Sequence, residues 1–304
     1  MVIFVEYAFS GLMLGIMYSL VAVGFTLFFG VLNVINFSHG DVLAVGSFSA
    51  LIAYVGLQAV GLDLPILCFI AVALAAFVVT GLLGAAIGGG FVVPMRNAPP
   101  INVLLMTMMI GTVLREVIRL GYPNGSNPKA FPALLPDTAI EVGSVFIRLD
   151  SVILLGLGLA VVALLDQFIR RTKFGLAIRA VAQDGETAQI IGIDFKQTIL
   201  LTFAIGSGLA GLAGVMHGVY YREVNFSVGL LLGVIGFSAA IIGGLGRIWG
   251  AVLGGFVFAA LQTLWVILFP DLSGYRDVFA FAMVIVVMTI WPTGMMAEMR
   301  SERV

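Results

Sequence analysis

Charged residues are scarce in this sequence, and their scarcity excludes a water-soluble fold. Only 10% of the 304 residues are Asp, Glu, Lys or Arg and 61% are hydrophobic, whereas about a quarter of the residues in soluble domains are charged. Most of the long charge-free runs have about the 20 residues that a helix needs to cross a hydrocarbon core. These runs are residues 7–30, 42–62, 64–95, 97–114, 151–165, 197–221, 224–246, 248–270 and 278–297.

Residues that carry catalysis or bind metals are also few. Cys68 is the single cysteine, so no intrachain disulfide can form. His39 and His217 lie far apart, no H-E-x-x-H spacing occurs, and no G-x-x-x-x-G-K-[ST] loop is present to hold a phosphate. The sequence therefore predicts no catalytic residue, no metal site and no cofactor or ATPase site in this chain. A net charge of −1 gives no indication of a nucleic-acid partner.

The charge-free runs predict an all-α, polytopic bundle with about nine spans, between eight and ten. Spanning segments must satisfy their own backbone hydrogen bonds, and runs of this length fit helices better than the short alternating strands of a barrel. The glycine-rich stretch 229–255 predicts short or broken helices. We expect one membrane domain over residues 1–304, and the first run is expected to remain as a span because no signal-peptide pattern precedes it.

Lys and Arg in short loops predict the orientation, since such loops stay in the cytoplasm. Five cations place the excursion 170–196 inside, namely Arg170, Arg171, Lys173, Arg179 and Lys196. Counting spans then puts the amino terminus outside, the Pro- and Asn-rich excursion 121–150 outside, and the carboxy terminus, with Arg300 and Arg303, in the cytoplasm.

Small residues recur at four-residue spacing, which lets helix backbones approach closely in lipid. They are Gly11, Gly15, Gly84, Gly88, Ala210, Gly214, Gly218, Gly246, Gly250 and Gly254. Two polar residues in the middle of apolar runs, Ser207 and Gln262, are expected to form hydrogen bonds between helices. Arg115, Glu116 and Arg119 end the fourth predicted span and are expected to form ion pairs near the membrane interface.

The densest polar cluster lies between the first two predicted spans. It comprises Asn33, Asn36, Ser38, His39 and Asp41. One interpretation is an irregular segment that lines a translocation pathway, where freed backbone groups could meet a polar ligand. The alternative is that Asn36, Ser38 and Asp41 cap helix ends, and the two roles are compatible.

The cytoplasmic excursion carries the signals of a short helix. Asp184 is a candidate N-cap, residues 186–191 are mostly good helix formers, and Gly192 is a natural stop. Ile190, Ile191 and Ile193 are apolar residues that a solvated connector would not need. A docking surface is therefore favoured over a plain connector.

Three stretches resemble a known family. Residues 186–192, Glu-Thr-Ala-Gln-Ile-Ile-Gly, resemble the E-A-A-x-x-x-G loop with which permeases of ATP-binding-cassette importers contact their ATPases, with Thr187 in place of alanine. Residues 30–41 and 171–180 are similar to signatures of the branched-chain amino acid permeases, LivH-type subunit, although Ser38 replaces the usual alanine and Asp41 the usual glutamate. The patterns Gly243–Gly246, Gly250–Gly255 and Pro292–Gly294 extend the resemblance over nearly the whole chain.

The resemblance implies the permease subunit of an importer for branched-chain or related hydrophobic amino acids in the bacterial inner membrane. The implied partners are a second homologous permease, two cytoplasmic ATPase subunits that bind ATP and Mg, and an extracytoplasmic binding protein. The residues expected to couple this chain to the ATPases are Gly175, Arg179, Asp184, Glu186, Ala188 and Gly192.

Other functions remain open from the sequence. Relatives that import urea, amides or aromatic acids share similar motifs. An ion-coupled transporter or a channel would need ionisable residues near the membrane midplane, where this chain has almost none. An intramembrane enzyme would need a nucleophile and a base, and no such pair is recognisable.

Overall fold

The computed structural model describes residues 2–143 and 145–296 and confirms the all-α membrane bundle. Eight helices in those ranges are long and apolar enough to cross a membrane, and one shorter apolar helix accompanies them, as the prediction of about nine spans requires. The helices are α1 (Val2–Leu32), α2 (Ser38–Ala59), α3 (Pro65–Ile87), α4 (Pro100–Gly121), α5 (Leu149–Arg171), α6 (Lys173–Gln183), α7 (Gly185–Ile190), α8 (Phe195–Tyr221), α9 (Val228–Gly243), α10 (Ile248–Leu268) and α11 (Arg276–Ile290).

Two of the helices form the centre of the bundle. Of the most apolar 18 residues in each span, 89% are buried in α1 and 72% in α8. In the last span, Pro270–Ile290, which includes α11, only 11% are buried. α1 packs against α8, α9 and α10, and α8 packs in addition against α2 and α3. A helix that is apolar on every side is expected in such a central position.

Most of the spaced glycines bring helices together, whereas Gly218 meets Phe131 of the excursion between α4 and α5. A methyl group on Gly84 would overlap the Ser207 side chain, and one on Gly214 would overlap the backbone of Leu43. Gly246 differs, because it lies in the turn before α10 with a φ of +94° and would accept a methyl group without contact. Glycine is suited to this position because it adopts a left-handed backbone conformation without steric cost, and it does not pack against a neighbouring helix.

The glycine-rich stretch is broken as predicted. α9 ends at Gly243, Gly244 adopts a φ of +98°, and α10 begins at Ile248. α3 shows the opposite behaviour, since a five-residue π-helix, Gly88–Val92, continues it. The run 64–95 is therefore one long span rather than two.

The excursion between α4 and α5 contains short strands that the sequence did not predict. β1 (Lys129–Ala130) pairs with β4 (Glu223–Val224), and β2 (Ala139–Val142) pairs with β3 (Val145–Arg148). The Phe146 N–H donates to the Glu6 carboxylate at 3.1 Å. This excursion and the start of α1 therefore lie at the same end of the bundle.

Of the two polar residues predicted to bridge helices, one does. The Gln262 amide accepts a hydrogen bond from the Tyr18 hydroxyl at 3.0 Å and donates to Asp277 at 2.6 Å. The expectation for Ser207 is wrong, because its buried hydroxyl has no hydrogen-bond partner among the described residues. Its side chain packs against Gly84 instead.

Candidate functional site

The polar stretch between α1 and α2 turns back into the bundle. Asn36, Ser38, His39 and Asp41 are each at most 4% exposed. Asn33 is separate from them: it is exposed, has a φ of +54°, and ends α1 with its N–H bonded to the Phe29 carbonyl at 2.8 Å. The structure thus brings together four of the five residues proposed for the translocation region.

Two side chains cap the start of α2. The Asn36 amide oxygen accepts hydrogen bonds from the Ser38 N–H at 3.2 Å and the Ser38 hydroxyl at 2.6 Å. The Phe37 N–H donates to the Thr107 hydroxyl of α4 at 3.2 Å. The first N–H groups of a helix need such partners because they have none inside the helix. The capping role predicted for Asn36 is confirmed.

His39 fixes the depth of this helix start. Its Nε2 lies 3.1 Å from the Val21 carbonyl, and its ring packs edge-on against Phe25 and Phe28. Val21 is eleven residues before the end of α1, which corresponds to about 16 Å along a helix. α2 therefore begins well inside the bundle rather than at the level where α1 ends.

Asp41 forms an ion pair rather than a helix cap. Both of its carboxylate oxygens accept from Arg115 of α4, each at 3.0 Å, and the two side chains are 5% and 21% exposed. Bidentate geometry makes this a strong and specific pair. The ion pairing expected of these residues is confirmed, since Arg115 pairs with Asp41 of α2 and Glu116 pairs with Arg119 at 2.8 Å.

The starts of α2 and α9 meet beside this ion pair. A methyl group on Gly40 would overlap the Gly229 carbonyl oxygen and lie 2.7 Å from the Gly233 Cα. Two helix amino termini, each with partial positive charge, thus lie together in the bundle interior. Helices that begin at membrane depth in this way are typical of transporter substrate pathways.

At the end of the bundle opposite the strands, a single residue, Thr172, joins α5 to α6 and caps the start of α6. The Thr172 hydroxyl accepts from the Gly175 N–H at 3.0 Å, and the Arg179 guanidinium donates to the Arg170 carbonyl at 3.4 Å. Gly175 packs so closely on the backbone of Ile169 that a methyl group would overlap it. Both residues predicted to couple this segment to partners therefore fix α6 against α5.

The predicted short helix is present as α7. Asp184 Oδ1 accepts from the N–H groups of Glu186 and Thr187, both at 3.1 Å, and Gly192 ends the turn with a φ of +91°. Ala188 is buried at 2% exposure and faces the protein. Glu186 is solvent-exposed, and the apolar residues that follow are strongly exposed as well, with values of 85% for Ile190 and 70% for Ile191.

Within residues 2–143 and 145–296, no three His, Cys, Asp or Glu side chains cluster as a metal site would require. His217 is far from His39 in the sequence. Its ring lies against the ring of Tyr221, with 4.6 Å between the two centroids. The polar groups described above form contacts between helices.

Residues 7–288 match a protein family that is described as "Branched-chain amino acid transport system / permease component". The chain belongs to this family. It is 33% identical over 299 residues to the permease BraD of Pseudomonas aeruginosa, covering 97% of this chain and 96% of that protein. It is 31% identical over 306 residues to the permease LivH of Escherichia coli K12, with 99% and 98% covered. A probable LivH of Methanocaldococcus jannaschii is 30% identical over 262 residues, covering 81% of this chain and 76% of that protein.

Sequence reasoning about this permease missed the partners of the buried cluster. Thr107 and Arg115 lie about 70 residues from the groups they bind, and nothing local connects them. A second missed network lies at the end with the strands. There Asp150, 1% exposed, binds Arg148 at 2.6 Å and Arg222 at 3.4 Å. The hydrogen bonds that Arg148 donates to the Asp150 carboxylate raise the pKa of Arg148.

Proposed function

We propose that this chain is the permease subunit of an ATP-binding-cassette importer that moves branched-chain or related hydrophobic amino acids across the bacterial inner membrane. The observation that carries the proposal is the similarity to BraD and LivH over 97% and 99% of the chain. Both are named as permeases of high-affinity branched-chain amino acid transport systems. Similarity of that extent covers the buried cluster and α7 together.

The partners in this proposal are those of such an importer. A second homologous permease completes the membrane part, an extracytoplasmic binding protein delivers the amino acid, and two cytoplasmic ATPases bind ATP and Mg. The sequence contains no G-x-x-x-x-G-K-[ST] loop, so this proposal places nucleotide binding on the ATPases, whose contacts with this chain would transmit the energy of ATP.

In the proposed orientation α7 lies in the cytoplasm and the amino terminus outside. The support is the concentration of five cations between Arg170 and Lys196, together with the location of α1's start beside the strands at the other end. Arg300 and Arg303, which the orientation also places in the cytoplasm, lie outside the described residues.

The residues proposed for coupling divide into two groups by their contacts. Gly175, Arg179 and Ala188 hold α6 and α7 against the membrane helices. Asp184 and Gly192 begin and end α7, and Glu186 faces solvent together with Ile190 and Ile191. We assign Glu186, Ile190 and Ile191 to ATPase contact. We assign Gly175, Arg179 and Ala188 to transmission, because a force on α7 would pass to the membrane helices through the residues that attach α6 and α7 to them.

The translocation region in this proposal is the junction of α2 and α9. Asn36, Ser38, His39 and Asp41 hold the start of α2 inside the bundle, and Asn33 ends the helix that leads to it. Movement of α6 and α7 against α1 and α5 would alter that junction, since α1 contacts α2, α6 and α9.

Disulfide crosslinking tests the docking surface. A cysteine at 190 in a Cys68→Ser background is expected to crosslink to co-expressed ATPases, and one at exposed position 130 is not. Position 188 is unsuitable as a probe because Ala188 is buried. Labelling of residue 190 by an impermeant thiol reagent added outside intact cells would overturn the orientation.

Uptake in vesicles with the ATPases and the binding protein tests the substrate. Leucine, isoleucine and valine are expected to accumulate only with ATP inside. Uptake of urea, amides or aromatic acids in their place would support the importer role but contradict the proposed substrate. Transport by this chain alone would instead establish a channel or an ion-coupled transporter.

A further inference from the structure

An apolar groove lies between α3, α5 and α8. Its volume is about 670 Å³, and every side chain that lines it is apolar. The lining comes from Phe69, Ile70, Ala73, Leu74 and Phe77 of α3, from Leu157, Val161, Leu164, Leu165 and Phe168 of α5, and from Leu201, Ile205, Leu209, Leu212, Val215 and Met216 of α8. Leu74 and Leu164 are 60% and 66% exposed, so the groove opens towards the surrounding membrane.

The groove is long enough to hold one lipid chain. Its lining extends from Leu157 to Phe168 on α5 and from Leu201 to Met216 on α8, which is roughly 16 to 22 Å at 1.5 Å per residue. Half of a hydrocarbon core of about 30 Å is about 15 Å. The groove is therefore at least as long as one leaflet is thick, so one acyl chain fits along it.

Cations lie at the end of the groove that carries α6 and α7. Arg171 continues the groove-lining stripe of α5, three residues after Phe168. Arg96 lies 5.8 Å from the centre of the Phe195 ring, and Lys196 follows directly. Within the described residues none of these three cations forms an ion pair, whereas the neighbouring Arg170 binds Asp166 at 3.0 Å.

We infer that this groove binds one acyl chain of an anionic phospholipid, with the headgroup phosphate on Arg171 and the cations beside it. Basic sites between helices at the cytoplasmic surface are suited to anionic headgroups. A helix of the second permease fits less well, because helices associate in membranes through small residues. Ala73 is the one small side chain in this lining, and bulky side chains surround it.

Lipid retention by the purified full-length permease tests this inference. Native mass spectrometry is expected to show one retained phosphatidylglycerol per chain, held at least fivefold more tightly than phosphatidylcholine. Ala73→Phe fills the groove and is expected to weaken retention of both lipids by about tenfold, since several methylenes lose an apolar site. Ala86→Phe is the matched control, because Ala86 is exposed on the same helix outside the groove.

The cations are tested separately. Arg171→Gln is expected to remove the preference for phosphatidylglycerol, a change of about fivefold for one cation, while Arg170→Gln leaves it unchanged. Equal retention by the wild type, Ala73→Phe and Ala86→Phe would overturn the site. If a photo-crosslinker at Val161 captured polypeptide rather than lipid in the assembled complex, the groove would be a protein interface and not a lipid site. The lipid site and the amino acid substrate are independent, so either inference can fail alone.

Discussion

The two polar segments of this permease are built in opposite ways. The segment between α1 and α2 is buried and held by partners on other helices, such as Arg115 and Val21. α7 is exposed and capped by Asp184, which immediately precedes it. The first segment depends on the fold around it, whereas the second carries its own folding signals. Substitutions should therefore affect stability in the first and partner contact in the second.

Loss of the Asp41 carboxylate is expected to have the largest effect on stability. Asp41→Ala leaves Arg115 partly buried without its partner, and breaking a buried pair from one side costs about 3 kcal/mol. Thermal unfolding of the purified protein measures the loss. The control is Glu116→Ala, which removes a more exposed pair of about 0.5 kcal/mol. Equal effects of the two substitutions would show that the buried pair does not hold α2 to α4.

Gly40→Ala should have the next largest effect. The added methyl group meets the backbone of Gly229, which cannot rotate away, and overpacking of this kind costs about 2 kcal/mol. Gly30→Ala is the matched control because a methyl group there contacts nothing within 4 Å. The same unfolding assay compares them. A Gly40→Ala protein as stable as the control would mean that α2 and α9 do not meet as described.

Asp184→Ala should act locally and more weakly. Removal of an N-cap costs about 1 kcal/mol, and the cost falls on α7 rather than on the bundle. Hydrogen exchange at the amides of Glu186 and Thr187 is expected to become faster, with the unfolding temperature unchanged. Asp184→Ser preserves a capping oxygen and should keep exchange slow. Unchanged exchange in Asp184→Ala would show that the cap does not form the helix.

Ile190→Ser should leave stability nearly unchanged, since this side chain is already 85% exposed. Its expected effect is on transport, which should fall together with ATPase association in the reconstituted complex. Phe146→Ser, an exposed apolar substitution at the other end of the bundle, serves as the control for surface hydrophobicity. Normal transport by the Ile190→Ser protein would show that this side chain of α7 is not part of the coupling interface.

Prediction from the sequence succeeded where the signals are close together in the chain. The start, length and end of α7 follow from residues 184–192, and the interruption between α9 and α10 follows from Gly243, Gly244 and Gly246. Capping bonds and left-handed turns join residues two to four apart, so a single segment contains all of their information.

The sequence by itself determined the membrane bundle, its number of spans and the capped helix at one end, because hydrophobic length and local hydrogen bonding are properties of contiguous residues. The tertiary structure alone decided that Asp41 binds Arg115 of α4, that Ser207 packs without a hydrogen bond, and that short strands cover the other end. It also decided which residues of the motif are accessible, with Ala188 buried and Ile190 exposed. These outcomes depend on which helices become neighbours, and neighbours in a bundle are chosen by shape and close contact between segments far apart in the chain.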